Sequence, residues 1–278
     1  MAEIIGGFCM PHDPMITGSP EMVNDQKQVE NINAAFAAIA RRLKEMEADT
    51  ALVFADDHYV MFGPDCVPRY LIAIGDVEGP IEGPWLRIPR QQIPNDIPLA
   101  EHIMQYGFDS GFDWAVAKTL VIDHGAIVPI ALTVVPNPGM RAIPIYLSTT
   151  VTPLLTSKRA FELGRMIGQA VEAFPEDRRV VVFGTGGISH WVGDEQMTRV
   201  NPEFDYKILE MTEKGDIEGL LAIEDAYYLE HGGNGSLEIK NWICAMAAMS
   251  SVKGKTICYE PVPELITGLG FVELQKAA

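Results

Sequence analysis

Short apolar runs alternate along this chain with longer stretches in which apolar residues recur every three or four positions. That alternation constrains the fold more than any other feature of the sequence. Residues 4–8, 51–55, 70–74, 119–122, 129–135, 143–147, 180–183 and 256–259 read as strands. Val29, Ile32, Phe36, Ile39, Leu43 and Met46 lie on one face of a long amphipathic helix, and Ser19-Pro20-Glu21 reads as its start. Ser157 reads as the cap of a second long helix reaching about Phe174. Further helical patterns cover residues 99–106, 203–213 and 236–249. Residues 75–95, with Gly79-Pro80 and Gly83-Pro84, read as a long loop or lid with little regular structure. The pattern predicts an α/β fold with a central sheet flanked by helices, in one domain spanning residues 1–278.

Composition narrows the function classes. A chain of 278 residues, 47% hydrophobic, can bury a large core without covalent staples. Cys9, Cys66, Cys244 and Cys258 form no CxxC pair and are expected as reduced thiols in a cytoplasm. The start MAEIIGGFCMPHDP lacks the pattern of a signal peptide, and no apolar run approaches the ~18–20 residues that span a bilayer. A formal net charge of -17 repels nucleic acid and anionic membranes, so neither is expected as a partner. An anionic substrate would need a local basic patch.

The six histidines carry the functional signal. His12, His58, His124 and His190 each lie just past a predicted strand, where the loops of an open α/β sheet form a ligand crevice. Four imidazoles from four such loops suit metal binding or acid–base work. A lone loop histidine is more often a surface residue; the shared position is what raises this group. His102, in a helical pattern, and His231, in a polar loop, are expected to be structural. The turn Gly184-Thr185-Gly186-Gly187-Ile188-Ser189 lacks the lysine of a phosphate loop and the third glycine of a dinucleotide fingerprint. It reads as a tight turn that brings His190 inward.

Glu238 follows the flexible Gly232-Gly233-Asn234-Gly235 segment. If Ser236 caps the next helix, Glu238 falls in its first turn, where the helix dipole alone would favour it. The same position could aim a carboxylate at a cation. Two histidines and one carboxylate describe the facial triad of non-haem iron(II) oxygenases, and equally a catalytic zinc site.

Five segments occur in an order that resembles a known family: Cys9-Met10-Pro11-His12-Asp13-Pro14, Asp56-Asp57-His58, Asp123-His124-Gly125-Ala126-Ile127-Val128-Pro129, Gly186-Gly187-Ile188-Ser189-His190-Trp191 and Leu237-Glu238-Ile239-Lys240-Asn241-Trp242. Together they resemble the class III extradiol dioxygenases, the superfamily of the protocatechuate 4,5-dioxygenase beta subunit, over essentially the whole chain. The resemblance implies a mixed αβ sandwich and an Fe(II) cofactor. It implies that His12, His58 and Glu238 are the metal ligands, that His190 is the catalytic histidine beside the metal, and that His124 binds or protonates the substrate. Asp57, Asp123 and Asn241 are expected to orient these groups, with surface or turn roles as the plainer reading of each. Should Glu238 fail as a ligand, Glu230, Asp56 or Asp57 would be next.

The expected substrates are O2 and a small aromatic ring with vicinal oxygens, a protocatechuate- or gallate-like catechol by default and a hydroxypyridone as the rival. Expected partners are further copies of the chain in a homo-oligomer, and either a small separate lid subunit or residues 75–95 as the cover. A zinc-dependent hydrolase and a metal-free binding protein are the alternatives from other classes.

Overall fold

The computed structural model describes residues 1–277. In chain order the elements are β1 (Ala2–Met10), α1 (Met15–Gly18), α2 (Gln26–Glu45), β2 (Thr50–Ala55), β3 (Tyr70–Gly79), β4 (Gln91–Ile93), α3 (Ile97–Asp109), β5 (Ala115–Val121), α4 (His124–Pro129), β6 (Arg141–Leu147), α5 (Ser157–Ala173), β7 (Arg178–Thr185), α6 (Pro202–Lys214), α7 (Ile217–Ala222), α8 (Asp225–His231), α9 (Ile239–Ala248), β8 (Val252–Val262) and β9 (Thr267–Lys276). The strands form one mixed sheet in the order β4-β3-β6-β2-β7-β1-β9-β8, with β5 paired to β3. This is the expected central sheet flanked by helices. Among the described residues, no helix is long and apolar enough to cross a membrane.

Helices cover both faces because the central strands are apolar on both. Along β7, Val180 and Val182 enter one hydrophobic cluster with α3, α5 and α9, whereas Val181 and Phe183 enter the other with α2 and α4. A strand buried on both sides reads as a continuous apolar run. The expected face of α2 is buried through Ile32, Phe36, Ile39 and Leu43, each at 2% exposure or less. Burying a side chain of this size stabilises the fold by roughly 1.5–3 kcal/mol.

The parallel core of the sheet positions the site. β1 pairs with β7, and β2 pairs with both β6 and β7, all in parallel. The carboxyl ends of β1, β2 and β7 therefore lie side by side at one sheet edge.

Several expectations need correction. The long helix starts at Gln26, not at Ser19-Pro20, because Asp25 accepts a hydrogen bond from the Lys27 N–H at 2.9 Å. Pro20–Met22 is only a 3-10 turn. Thr156, not Ser157, caps α5, accepting from the Arg159 N–H at 3.2 Å. Residues 75–95 are no open loop. β3 continues to Gly79 by pairing with β5, and β4 returns along its other edge. The C-terminal strand is longer than expected and is followed by β9, which completes an antiparallel ribbon on β1.

The largest correction concerns residues 129–135. They continue α4 into a π-helical turn over Ile130–Val134 and form no strand. Apart from Thr133 every side chain from Pro129 to Val135 is apolar, so the run shows no 3.6-residue period to separate helix from strand. Asp123 decides for helix by accepting the Gly125 N–H at 3.1 Å. Pro129 has no N–H to offer Gly125, and that carbonyl is engaged instead by the Thr185 hydroxyl at 2.9 Å.

Candidate functional site

His12, His58 and His190 come from the loops after β1, β2 and β7, at the shared sheet edge. His124 arrives by another route, as the first residue of α4 after β5. All four line one cavity of about 290 Å³ together with Glu238. The five side chains expected as ligands or catalysts thus reach one place. His102 and His231 do not: His102 bonds the Ala170 carbonyl on the flank of α5, and His231 lies tilted against the Tyr227 ring.

At the cavity floor, one nitrogen or oxygen from each of His12, Asp56, His58 and Glu238 lies within 4.8 Å of the others. His12 Nε2 is 3.3 Å from Glu238 Oε2, and His58 Nε2 is 3.4 Å from Glu238 Oε1. The far ring nitrogens settle the tautomers. His58 Nδ1 lies 2.9 Å from Asp123 Oδ2, a carboxylate that can only accept, so His58 donates from Nδ1. His12 Nδ1 lies 3.0 Å from Thr185 Oγ1, whose single proton goes to the Gly125 or Phe54 carbonyl at 2.9 and 3.1 Å. Thr185 therefore accepts from His12, and in the neutral rings both Nε2 atoms face Glu238 as lone pairs.

Three lone-pair groups converging in a buried pocket repel one another unless a cation sits among them. His12 Nε2 is buried with no hydrogen-bond partner. Two imidazoles and a carboxylate, each held from behind, fit a divalent transition metal. Burial works to raise the Glu238 carboxyl, but the charges of His12 and His190 prevail and hold it well below the usual range. Burial likewise opposes a charged His58, yet Asp56, then Asp123 and Glu238, outweigh it and raise its pKa well above normal. The cluster is built to hold one or more positive charges.

The backbone around Glu238 differs from expectation. Asn234–Glu238 is a 3-10 turn, and Ser236 donates to the Gly233 carbonyl at 2.7 Å instead of capping a helix. Glu238 is the residue before α9 and caps nothing there. Its Oε2 accepts the Gly187 N–H at 2.9 Å, and a Cβ on Gly186 would come within 2.5 Å of the Glu238 Cβ. Gly186 has φ of 138°, so the glycine turn after β7 serves Glu238 as much as His190.

His190 is clamped through its backbone. Its N–H donates to the Gly232 carbonyl at 2.7 Å, and its carbonyl accepts the Gly235 N–H at 3.1 Å. A Cβ on Gly235 would lie 2.0 Å from His190 Nε2. The neighbouring Ser189 is fixed by Asp205, which accepts from its N–H at 2.8 Å and its hydroxyl at 2.9 Å. Burial pushes the Asp205 carboxyl up to about 6. His190 Nε2 stands 3.4 Å from Glu238 Oε1. Burial again disfavours its charged form, but the Glu238 carboxylate prevails and raises the His190 pKa.

The three residues expected to orient the site divide. Asp123 holds His58 while capping α4. Asn241 donates to Asp56 Oδ1 at 3.1 Å and to the Thr185 carbonyl at 2.9 Å. Asp57 instead accepts three backbone N–H groups, from Val60, Met61 and Phe62, and shapes the loop after His58. Of the reserve carboxylates, Asp56 is the one drawn into the cluster, 4.0 Å from both His12 Nε2 and His58 Nε2. Its oxygens are already engaged by Asn241 and Thr150.

Sequence reading missed Glu82. It lies in the segment taken for a lid, with no motif around it. Its Oε1 accepts from both the backbone N–H of His124 at 2.8 Å and the His124 ring Nδ1 at 2.7 Å. This fixes the ring proton of His124 on Nδ1 and leaves Nε2 as an acceptor. Glu82→Ala should therefore lower kcat/KM by about 10–100-fold, the usual cost of losing such a partner. Glu82→Gln keeps an acceptor oxygen and should recover most of it. Steady-state kinetics with metal content determined alongside check this; an unchanged Glu82→Ala would leave His124 needing no such anchor.

A family profile described as the catalytic LigB subunit of aromatic ring-opening dioxygenase matches residues 6–270. The chain is 27% identical to a Photorhabdus laumondii protein named 2,3-dihydroxyphenylpropionate/2,3-dihydroxicinnamic acid 1,2-dioxygenase, over 96% of each chain. It is 25% identical to an Escherichia coli protein of the same name, covering 94% of this chain and 96% of that one. Among solved structures, an uncharacterized protein from Escherichia coli K12 superposes with a TM-score of 0.59 at 11% identity, over 97% of this chain and 99% of that one. That last likeness concerns the fold alone. The match over nearly the whole chain makes this protein a member of the LigB family, an extradiol ring-cleavage dioxygenase.

Proposed function

We propose that this dioxygenase opens a catechol-type ring beside its vicinal oxygens, using iron(II) held by His12, His58 and Glu238. The observation that carries the reading is the tautomer-fixed convergence of His12 Nε2, His58 Nε2 and Glu238 in the cavity that His124 and His190 also line. The relatives' names specify catechols bearing a three-carbon acid; the part adopted here is the ring diol and its cleavage.

Iron(II), when bound, would supply open positions for the ring oxygens and O2 and the redox chemistry that joins them. The protein's own residues manage position and protons. Glu82 holds His124 with Nε2 as acceptor, suited to take a hydrogen bond from a ring hydroxyl. His190 is a buried imidazole whose protonated form Glu238 favours, suited to exchange a proton with the reacting oxygens.

Metal identity is tested by chelation and reconstitution. Chelator-treated protein should be inactive, and iron(II) under reductant should restore oxygen uptake with catechol. Better turnover with zinc than with iron(II) would contradict the assignment and revive hydrolysis by the same ligands.

A further inference from the structure

From the lining of the cavity we infer that the ring this enzyme opens carries no ionised substituent: the substrate is an uncharged vicinal diol or hydroxypyridone. This rests on the ring-opening reading above and narrows its substrate class.

No lysine or arginine is found among the described residues that line the cavity. Its four imidazoles face carboxylates, His12, His58 and His190 around Glu238 and His124 against Glu82, with His190 Nδ1 left without a partner beside the Glu238 charge. The acidic groups Glu238 and Asp13 also line it. Thr267, a hydroxyl in the wall, already donates to Asp13 Oδ2 at 2.9 Å. The remaining side chains, Pro14, Met15, Val192, Met197 and Ile266, offer neither charge nor a hydrogen-bond donor.

The nearest reserve of positive charge by sequence is also committed. The loop that contributes Val192 and Met197 carries one cation, Arg199, beside Asp194 and Glu195. The Arg199 guanidinium lies over the Trp191 ring, 4.3 Å from its centroid, and donates to Gln196 Oε1 at 2.6 Å. A carboxylate on the ring would enter a confined, partly apolar space of about 290 Å³ with no side-chain counter-charge of its own, in a protein of net charge -17. An uncharged alkyl, ester or ring nitrogen substituent incurs no such desolvation cost, and the methionines and branched aliphatics adapt to its shape.

The test isolates charge from shape. Iron(II)-loaded enzyme is titrated anaerobically, then assayed by oxygen uptake, with 3-(2,3-dihydroxyphenyl)propionate, its methyl ester and 3-butylcatechol. The ester and the alkylcatechol should bind and turn over about tenfold or more better than the acid. Met197→Arg, a change at a half-exposed wall position, should narrow or reverse that ratio by supplying the missing cation. An acid that binds as well as its ester overturns the inference and leaves ring opening intact. If neither these diols nor 3-hydroxy-4-pyridone, assayed alongside them, drives oxygen uptake, the ring-opening reading fails, and the anaerobic affinities still decide the question of charge.

Discussion

Glu238→Ala should leave a folded protein that no longer retains iron and takes up no oxygen with any diol. Structural zinc sites draw roughly 10–16 kcal/mol from four ligands, or about 2.5–4 kcal/mol per ligand. Losing one should weaken metal binding on the order of 10²–10³-fold. The local cost is larger than a ligand count suggests. Glu238 Oε2 accepts the Gly187 N–H, so the variant leaves a buried donor unpaired as well as two facing imidazoles. His12→Ala and His58→Ala should behave alike. Metal analysis after desalting, with circular dichroism to confirm folding, reads the outcome. Full iron occupancy in Glu238→Ala would move the ligand role to Asp56, which stands 4.0 Å from both Nε2 atoms. Asp56→Asn in the same background would then remove the metal.

His190→Ala should show the opposite pattern: iron retained, substrate bound, turnover lost. His190 reaches the cluster only through its 3.4 Å contact with Glu238 Oε1, and its backbone is held independently by Gly232 and Gly235. Removing the imidazole therefore removes a proton carrier without dismantling the site. General acid–base groups contribute ~10²–10⁴-fold in rate, or roughly 3–5 kcal/mol of barrier. That loss should fall on kcat. His124→Ala should raise KM as well as lower kcat, since a hydrogen bond from a ring hydroxyl acts before the transition state too. Iron content, anaerobic titration and steady-state kinetics separate the cases. Iron-free His190→Ala protein would make His190 a ligand, and near-normal turnover would make it a bystander.

Much of this architecture is legible in the sequence because the signals are local. Alternating apolar runs report strands buried on both faces, and a 3.6-residue period reports α2 and α5. The position of His12, His58 and His190 beyond strand ends made convergence an expectation, and the parallel adjacency of β1, β2 and β7, which the sequence does not encode, brings those ends together. Local chemistry becomes ambiguous where apolar side chains fill every face of a run. Residues 129–135 have no polar side from which to read a period, and a single cap at Asp123 turns them into helix.

What the sequence by itself determined was the fold class, a central sheet flanked by helices, together with the set of side chains nominated for the site. Tertiary structure alone decided how those side chains are arranged. Glu82 sits 42 residues before His124, and Asp123 65 residues after His58. Thr185 holds His12 from 173 residues away because a proline in α4 leaves a carbonyl for its hydroxyl. Proton positions on the imidazoles, the choice between Asp56 and Asp57, and the uncharged wall of the cavity all depend on such pairings. A hydrogen bond is fixed by distance and direction in space, and no periodicity along the chain encodes either.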